Sequence, residues 1–398
     1  MLSTIRRQTR QLLGERGRSI LFRAATTARI YPWYFFADGK ARRPETVILE
    51  ITYACNARCR MCAVHGEHAD GSSLAARGCT RTGELTTGEL QGVLSDVAAM
   101  GIPQVTFRGG EAFLRPDFCD LLEYAGQRGL RISIISNGTI MNDEIARRVI
   151  QAPTASMTIS VDGPRAIHDT IRRVPGMLDR IESNIRCLRQ AQRELGLSRP
   201  RIYINCTLSA TNQGHLQGLV DIAARHQATL TLRPLFYTTE RQQEQTNRLY
   251  RMGNAKPECQ VLSPNLSHVN PSALAQELMK VRQYATSLKV DIRISLRNVR
   301  QIFNRFYRAY HADAGRCMHP WRVTTINPYG AVYPCSINTV MGDIRRQTLS
   351  QIWNGRKYVH FRQRLASVGI FPRCTKCCVL DADDLLARIL PRGTNGGA

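Results

Sequence analysis

The residues of this chain best suited to chemistry are its cysteines, and their spacing is informative. In ITYACNARCRMCAVHGE, residues 51–67, Cys55, Cys59 and Cys62 form a CxxxCxxC arrangement, and His65 follows three residues after Cys62. A loop with this spacing can wrap three corners of a [4Fe-4S] cube and leave the fourth iron open to a ligand from outside the protein. With His65 as a fourth donor, the same loop can instead close a tetrahedral zinc site. A second set lies far along the chain: Cys317, Cys335, Cys374 and Cys377, with Cys378 adjacent to the last. Four thiolates complete a closed site for a second cluster or for zinc. If all four ligands come from the protein, substrate cannot bind that metal directly, which leaves electron transfer as the role of a cluster there. Thirteen cysteines in 398 residues, clustered in CxxC-type spacings, do not resemble a small disulfide scaffold and point to metal or redox chemistry in a reducing compartment.

The elements that must position these residues are legible from about residue 46. Six β-rich runs, VILEIT, QVTFR, RISIIS, ASMTISV, RIYINCT and TLTLRP, alternate with helical stretches. Thr86 and Glu89 have capping-box spacing ahead of one helix, and Gly101 and Gly129 fall where two helices should stop. Such alternation predicts a parallel sheet or barrel, with functional residues on the loops that follow the strands. The cysteine loop follows the first strand. FRGGEAF follows the second, where Gly109 and Gly110 would let backbone approach a ligand and the Glu111 carboxylate would meet an ammonium group. An iron left open at low potential can chelate the amino and carboxylate groups of S-adenosylmethionine and pass an electron to its sulfonium. Homolysis then yields methionine and a 5′-deoxyadenosyl radical able to take hydrogen from an unactivated C–H bond.

The predicted organisation is a basic N-terminal segment over 1–45, the core barrel over 46–236, a helical connector over 237–312, a small cysteine-bearing domain over 313–380 and a tail over 381–398 that ends in PRGTNGGA and reads as disordered. Of the other cysteines, Cys119, Cys187 and Cys206 fall in helix or strand patterns and read as core. Cys79 and Cys259 fall in polar loops, where a thiol could donate hydrogen to a substrate radical.

The formal charge of +24 is carried largely by arginine, and attracts phosphates or anionic membranes if it is more than a reflection of base composition. Arg6, Arg7, Arg10, Arg16, Arg18, Arg23 and Arg29 interleave with apolar residues ahead of IYPWYFF, giving an amphipathic segment that can lie on a membrane or pack on its own domain. No apolar run reaches the roughly 18 residues of a membrane span, and no secretory signal is evident, so a cytoplasmic location is expected. A zinc-stabilised nucleic-acid-binding protein is the competing reading of the charge and the two cysteine sets.

Taken together, the CxxxCxxC loop and the GGE after the next strand resemble the radical SAM superfamily over roughly residues 46–236, with similarity continuing to about 380. The resemblance implies an α/β fold, a partial (β/α)6 TIM-like barrel, in which Cys55, Cys59 and Cys62 hold the SAM-binding cluster and Gly109, Gly110 and Glu111 contact the methionine end of S-adenosylmethionine. ISNGT resembles the family's ribose- and carboxylate-contacting strand end and nominates Ser136 and Asn137. SVDGPRAIHDTIRR is similar to a segment of one subfamily and nominates Ser160, Asp162 and Arg172, although Asn137-Gly138 and Asp162-Gly163 are also ordinary turn pairs. Met61 stands where the family usually has an aromatic residue near adenine, and Ala112 replaces a common proline. The pattern C…GxVYPC…CxxC, with MGDIRRQTLSQIWNG and its Trp353, is similar to SPASM or shortened twitch extensions. Five cysteines after residue 300 are too few for a full two-cluster extension, so one auxiliary [4Fe-4S] cluster on Cys317, Cys335, Cys374 and Cys377 is expected.

The implied activity is reductive cleavage of S-adenosylmethionine and hydrogen abstraction from a natural-product, carbohydrate, lipid or peptide substrate. The implied partners are a low-potential donor such as flavodoxin or ferredoxin and, through residues 1–44, a membrane surface; nucleic acid is not expected. Residues 1–45 are too few for the leader-peptide recognition domain that peptide-modifying relatives often carry.

Overall fold

Each of the six β-rich runs forms a strand, because its apolar residues alternate or cluster on a side that a helix can cover. In the computed structural model, which describes residues 28–62, 83–250, 268–296, 298–307, 316–335 and 339–379, these are β1 (Thr46–Glu50), β2 (Gln104–Arg108), β3 (Arg131–Ser136), β4 (Thr154–Ser160), β5 (Arg201–Leu208) and β6 (Thr229–Pro234). They are neighbours in chain order and all parallel. Between them run α1 (Thr87–Ala99), α2 (Phe118–Gln127), α3 (Asp143–Gln151), the pair α4 (Arg165–Arg172) and α5 (Met177–Glu194), and α6 (Gln217–Arg225). This is the expected partial (β/α)6 barrel. The capping box that starts α1 is present: Thr86 Oγ1 accepts from Glu89 N, and Thr86 N donates to Glu89 Oε2 at 2.7 Å. Gly101 ends that helix at φ +66°, a conformation that costs a glycine little.

The sheet extends past both edges of the six strands, and its order is β10-β9-β8-β1-β2-β3-β4-β5-β6-β7. The stretch read as a connector supplies α7 (Glu240–Tyr250), α8 (Pro271–Ser287) and α9 (Val299–Tyr307), and also β7 (Ile292–Ile294), which pairs in parallel with β6. A three-residue strand with an exposed arginine at its centre has no periodicity to betray it. On the other side β8 (Val323–Ile326) pairs in parallel with β1, followed by antiparallel β9 (Ala331–Tyr333) and β10 (Gly342–Asp343). Both otherwise open edges of the barrel sheet are therefore covered.

Two last helices, α10 (Leu349–Trp353) and α11 (Arg356–Val368), brace this side of the sheet. Arg362 is fully buried, with its guanidinium 4.1 Å from the Trp353 ring and 4.3 Å from the Tyr358 ring, and it donates to the carbonyls of Pro320 and Trp353. Burial lowers its pKa to about 10. Trp353 Nε1 donates to Arg42 O, and Asn354 bonds both the N–H and the carbonyl of Ala41, so the chain entering β1 is clamped onto α10. Helical residues 28–36 pack through Ile30 and Tyr34, the latter ring 4.7 Å from Trp321, while Phe36 stays 87% exposed. The rest of the basic segment, residues 1–27, lies outside the described residues, as do Cys79, Cys259 and the final tail. Cys119 and Cys206 are buried as expected; Cys187 is only half-buried, because its α5 position faces Asp143, whose Oδ1 accepts from the thiol at 3.3 Å. Among the described residues no helix is long and apolar enough to cross a membrane.

Candidate functional site

The cysteine loop leaves β1 and is caught at once by neighbouring chain. Ile51 N donates to Arg108 O at 2.9 Å, and Glu84 Oε1 accepts from both Thr52 Oγ1 and Tyr53 N. The loop after β2 then crosses it in direct backbone contact, with Gly110 N donating to Thr52 O at 2.7 Å and Glu111 N to Ala54 O at 2.8 Å. A Cβ on Gly109 would lie 2.2 Å from Thr52 O, and one on Gly110 would lie 2.3 Å from Ala54 O. Glycine is thus required for one loop to touch the other, a use the sequence reading, which had a ligand in mind, did not anticipate. A Gly110→Ala variant is expected to lose about 3 kcal/mol of stability, the upper part of the overpacking range, since the atoms met are backbone and cannot swing away. Its melting temperature and iron loading should fall together; a variant melting like the parent would refute this.

Glu111 is 1% exposed and ties the ends of two strands together. Its Oε1 accepts from Ser136 Oγ at 2.8 Å and from Phe113 N at 3.2 Å, and its Oε2 from Asn137 N at 2.6 Å. Burial raises its pKa, against the opposing pull of these three donors and of the Arg172 charge. The donors surrounding the carboxylate are protein groups, where the sequence led us to expect an ammonium partner. Asn137 extends the same bracing to the cysteine loop: its Nδ2 donates to Asn56 Oδ1 at 2.7 Å and lies 3.9 Å from Cys55 Sγ.

The opposite flank is held from β4 and α4. Arg58 N and Arg60 N donate to the carbonyls of Arg172 and Ile171. Arg172 Nε donates to Asp162 Oδ2 at 2.7 Å, and its Nη1 to Cys59 Sγ at 3.4 Å. Asp162 is wholly buried behind the arginine, its other oxygen accepting from Thr207 N. Ser160 ends β4 half-buried, in register with Asn205. Met61 packs against the pair Leu235 and Tyr237, just after β6. Burial pushes the Cys55 thiol up to about 11, helped by the nearby Cys59, Glu111 and Cys62. Acids crowded in this way repel one another until a cation arrives, as iron would. His65 lies outside the described residues.

The second cysteine set also comes together. Burial, then the neighbouring Cys374, Cys335 and Cys377, push the Cys317 thiol well above its ordinary range. Cys317 N donates to Gly369 O just past α11, Cys335 lies just beyond β9, and Cys374 and Cys377 bracket a turn in which Cys377 N donates to Cys374 O. That turn is tied to α7 by Gln242 Nε2 donating to Thr375 Oγ1 at 2.9 Å. Its Lys376, 3% exposed, sits over the Tyr237 ring at 5.6 Å, so the Leu235–Tyr237 pair on which Met61 of the first loop packs also meets the second. Among the described residues no three His, Cys, Asp or Glu side chains converge closely enough to hold one metal ion. Zinc gathers thiolates at about 2.3 Å from a single centre, whereas a cube spreads them over separate irons. Both sets offer thiols of the kind that either group takes.

Comparison with known proteins bears on both sites. The family model described as "Radical SAM superfamily" matches residues 49–198, and the SPASM model, described as "Iron-sulfur cluster-binding domain", matches residues 317–378. The chain belongs to the radical SAM superfamily of enzymes. This radical SAM chain is 26% identical over 321 residues to the AdoMet-dependent heme synthase of Methanosarcina barkeri, covering 78% of itself and 82% of that protein. It is 25% identical over 349 residues to the PqqA peptide cyclase of Rhodopseudomonas palustris, covering 85% of itself and 81% of that protein. The crystal structure of Streptococcus suis SuiB superposes with a TM-score of 0.58 at 11% identity, over 83% of this chain and 70% of that one, a likeness of fold alone.

Within the radical SAM site, sequence reasoning missed Glu84, Asn56, Tyr237 and Lys376. Only Asn56 carried a signal, as the polar residue directly after Cys55.

Proposed function

We propose that Cys55, Cys59 and Cys62 hold a [4Fe-4S] cluster whose remaining iron takes S-adenosylmethionine, that Cys317, Cys335, Cys374 and Cys377 hold one auxiliary [4Fe-4S] cluster, and that the enzyme abstracts hydrogen from a C–H bond of a small-molecule, lipid or peptide substrate. The observation that carries this reading is the convergence of the loops after β1, β2 and β3 on three crowded thiols, braced by Glu111 and Asn137. When bound, the first cluster supplies the electron that cleaves S-adenosylmethionine and so initiates radical chemistry.

The chain's own residues divide their work. Glu111 and Asp162, each at most 1% exposed, act by holding Ser136, Asn137 and Arg172 in place. Ser160 and the backbone of Gly109 and Gly110 are the remaining nominees for contact with S-adenosylmethionine. Cys377, whose N–H closes the turn onto Cys374 O, is taken as the auxiliary ligand in preference to Cys378. Glu50 pairs with Arg108 at 2.7 Å, and Gln104, Ser133 and Ser156 bond across three strands. A low-potential flavodoxin or ferredoxin supplies the electrons in this reading, and residues 1–44, with Phe36 exposed, touch an anionic membrane. Liposome flotation of the full chain should depend on that segment; equal flotation without it would remove the membrane proposal.

The central test is anaerobic. Reconstituted protein should carry about eight irons and eight sulfides and should form 5′-deoxyadenosine from S-adenosylmethionine under reduction. Deuterated candidate substrates should pass deuterium into that product. Two zinc ions and no iron would instead support the nucleic-acid-binding reading, for which the relatives, all enzymes, give no support.

A further inference from the structure

Arg172 does more than brace the cysteine loop. Its Nη1 donates to Cys59 Sγ at 3.4 Å, while Nε and Nη2 both lie 2.7 Å from Asp162 Oδ2. The two side chains are 11% and 0% exposed, so solvent screens them little. Asp162 is fixed from several sides: Oδ1 accepts from Thr207 N at 3.1 Å, its N–H donates to His168 Nδ1 at 3.1 Å, and its carbonyl accepts from Asn212 Nδ2 at 3.0 Å. Because guanidinium is a rigid planar fork, seating one edge on a fixed carboxylate aims another N–H at the sulfur.

Hydrogen bonds to cluster sulfurs, together with local charge, set a cluster's reduction potential. A cation donating to a thiolate favours the more negative, reduced state. We propose that Arg172, oriented by Asp162, raises the reduction potential of the cluster held by Cys55, Cys59 and Cys62, and that the Asp162 charge limits the size of that effect. The inference rests on the cluster assignment made under Proposed function. It has a signature that a purely structural brace lacks: the two charges act on one sulfur in opposite directions, so removing each shifts the potential with opposite sign.

The experiment poises full-length, anaerobically reconstituted protein at a series of potentials and follows the reduced cluster by electron paramagnetic resonance. Added S-adenosylmethionine perturbs the signal of the cluster it binds and so separates that cluster from the auxiliary one. In Arg172→Gln the reduced-to-oxidised ratio at a given potential should fall about tenfold, which for a one-electron couple is about 59 mV. Arg172→Lys, which keeps the charge, should recover part of the loss, and Asp162→Asn should raise the ratio severalfold. If Arg172→Gln cannot hold the cluster, the rise in Asp162→Asn decides the matter. Ratios equal to the parent's with iron intact, shifts of the same sign in both variants, or loss of the cluster from both would overturn the proposal. A parent protein with no signal responsive to S-adenosylmethionine would remove the underlying cluster assignment instead.

Discussion

Cys59→Ala should abolish cleavage of S-adenosylmethionine and leave about half of the iron, the four atoms of one cube out of two. Cys59 is 7% exposed and lies at the middle of its loop, where the thiol accepts from Arg172. Two remaining thiols cannot keep a cube at a site open on its fourth corner, so the whole first cluster should go. The second set shares no ligand with it and hangs on other elements, β9, the end of α11 and the turn tied to α7. Its iron should therefore remain. The fold should survive as well, since Arg172 keeps Asp162 as its partner and the loop keeps its backbone bonds to Gly110, Glu111, Ile171 and Arg172. Iron and sulfide analysis beside chromatography of 5′-deoxyadenosine measures both halves of this expectation. Continued cleavage at full iron would place the S-adenosylmethionine site elsewhere.

The barrel was legible in the sequence because its signals are local, whereas the second cysteine set, spread from Cys317 to Cys377, was read partly from a resemblance. Strand runs, capping boxes and CxxxCxxC spacing are each readable within a dozen residues. What stayed hidden depends on partners distant in the chain. Nothing in FRGGEAF says that Gly109 and Gly110 meet the carbonyls of Thr52 and Ala54, or that Glu111 is ringed by Ser136, Phe113 and Asn137 donors. Asp162 was nominated as a ligand contact on a resemblance, and the structure places it fully buried behind Arg172, where only the register of β4 against β5 could have put it. β7 and β8 were invisible for a related reason: they are three and four residues long, and their pairing with β6 and β1 is a property of the assembled sheet. The packing of Met61 on the Leu235–Tyr237 pair and of Lys376 over the Tyr237 ring, which joins the two cysteine sets, lies across three separate parts of the chain.

That joint makes the auxiliary site the subject of the second large expectation. Cys335→Ala should lose the other half of the iron and the product, yet go on cleaving S-adenosylmethionine without coupling it to turnover. Cys335 is the suitable position because it is half-buried in the loop after β9, while Cys374 is buried. The turn that carries Cys374 and Cys377 should persist without the fourth thiolate, since Gln242 holds Thr375, Thr246 Oγ1 accepts from Arg373 N, and the Phe361 and Phe371 rings lie 5.7 Å apart beneath it. With the barrel loop untouched, hydrogen abstraction would begin, but under the proposed role the substrate radical would lack an auxiliary cluster through which to exchange its electron. The measurement is the ratio of 5′-deoxyadenosine to product, which should rise steeply as product vanishes. A variant that lost its auxiliary iron and kept the parent's ratio would rule out an electron-transfer role for this site. One in which cleavage and product fell together would reduce the auxiliary site to a brace, acting on the first loop through Lys376, Tyr237 and Met61.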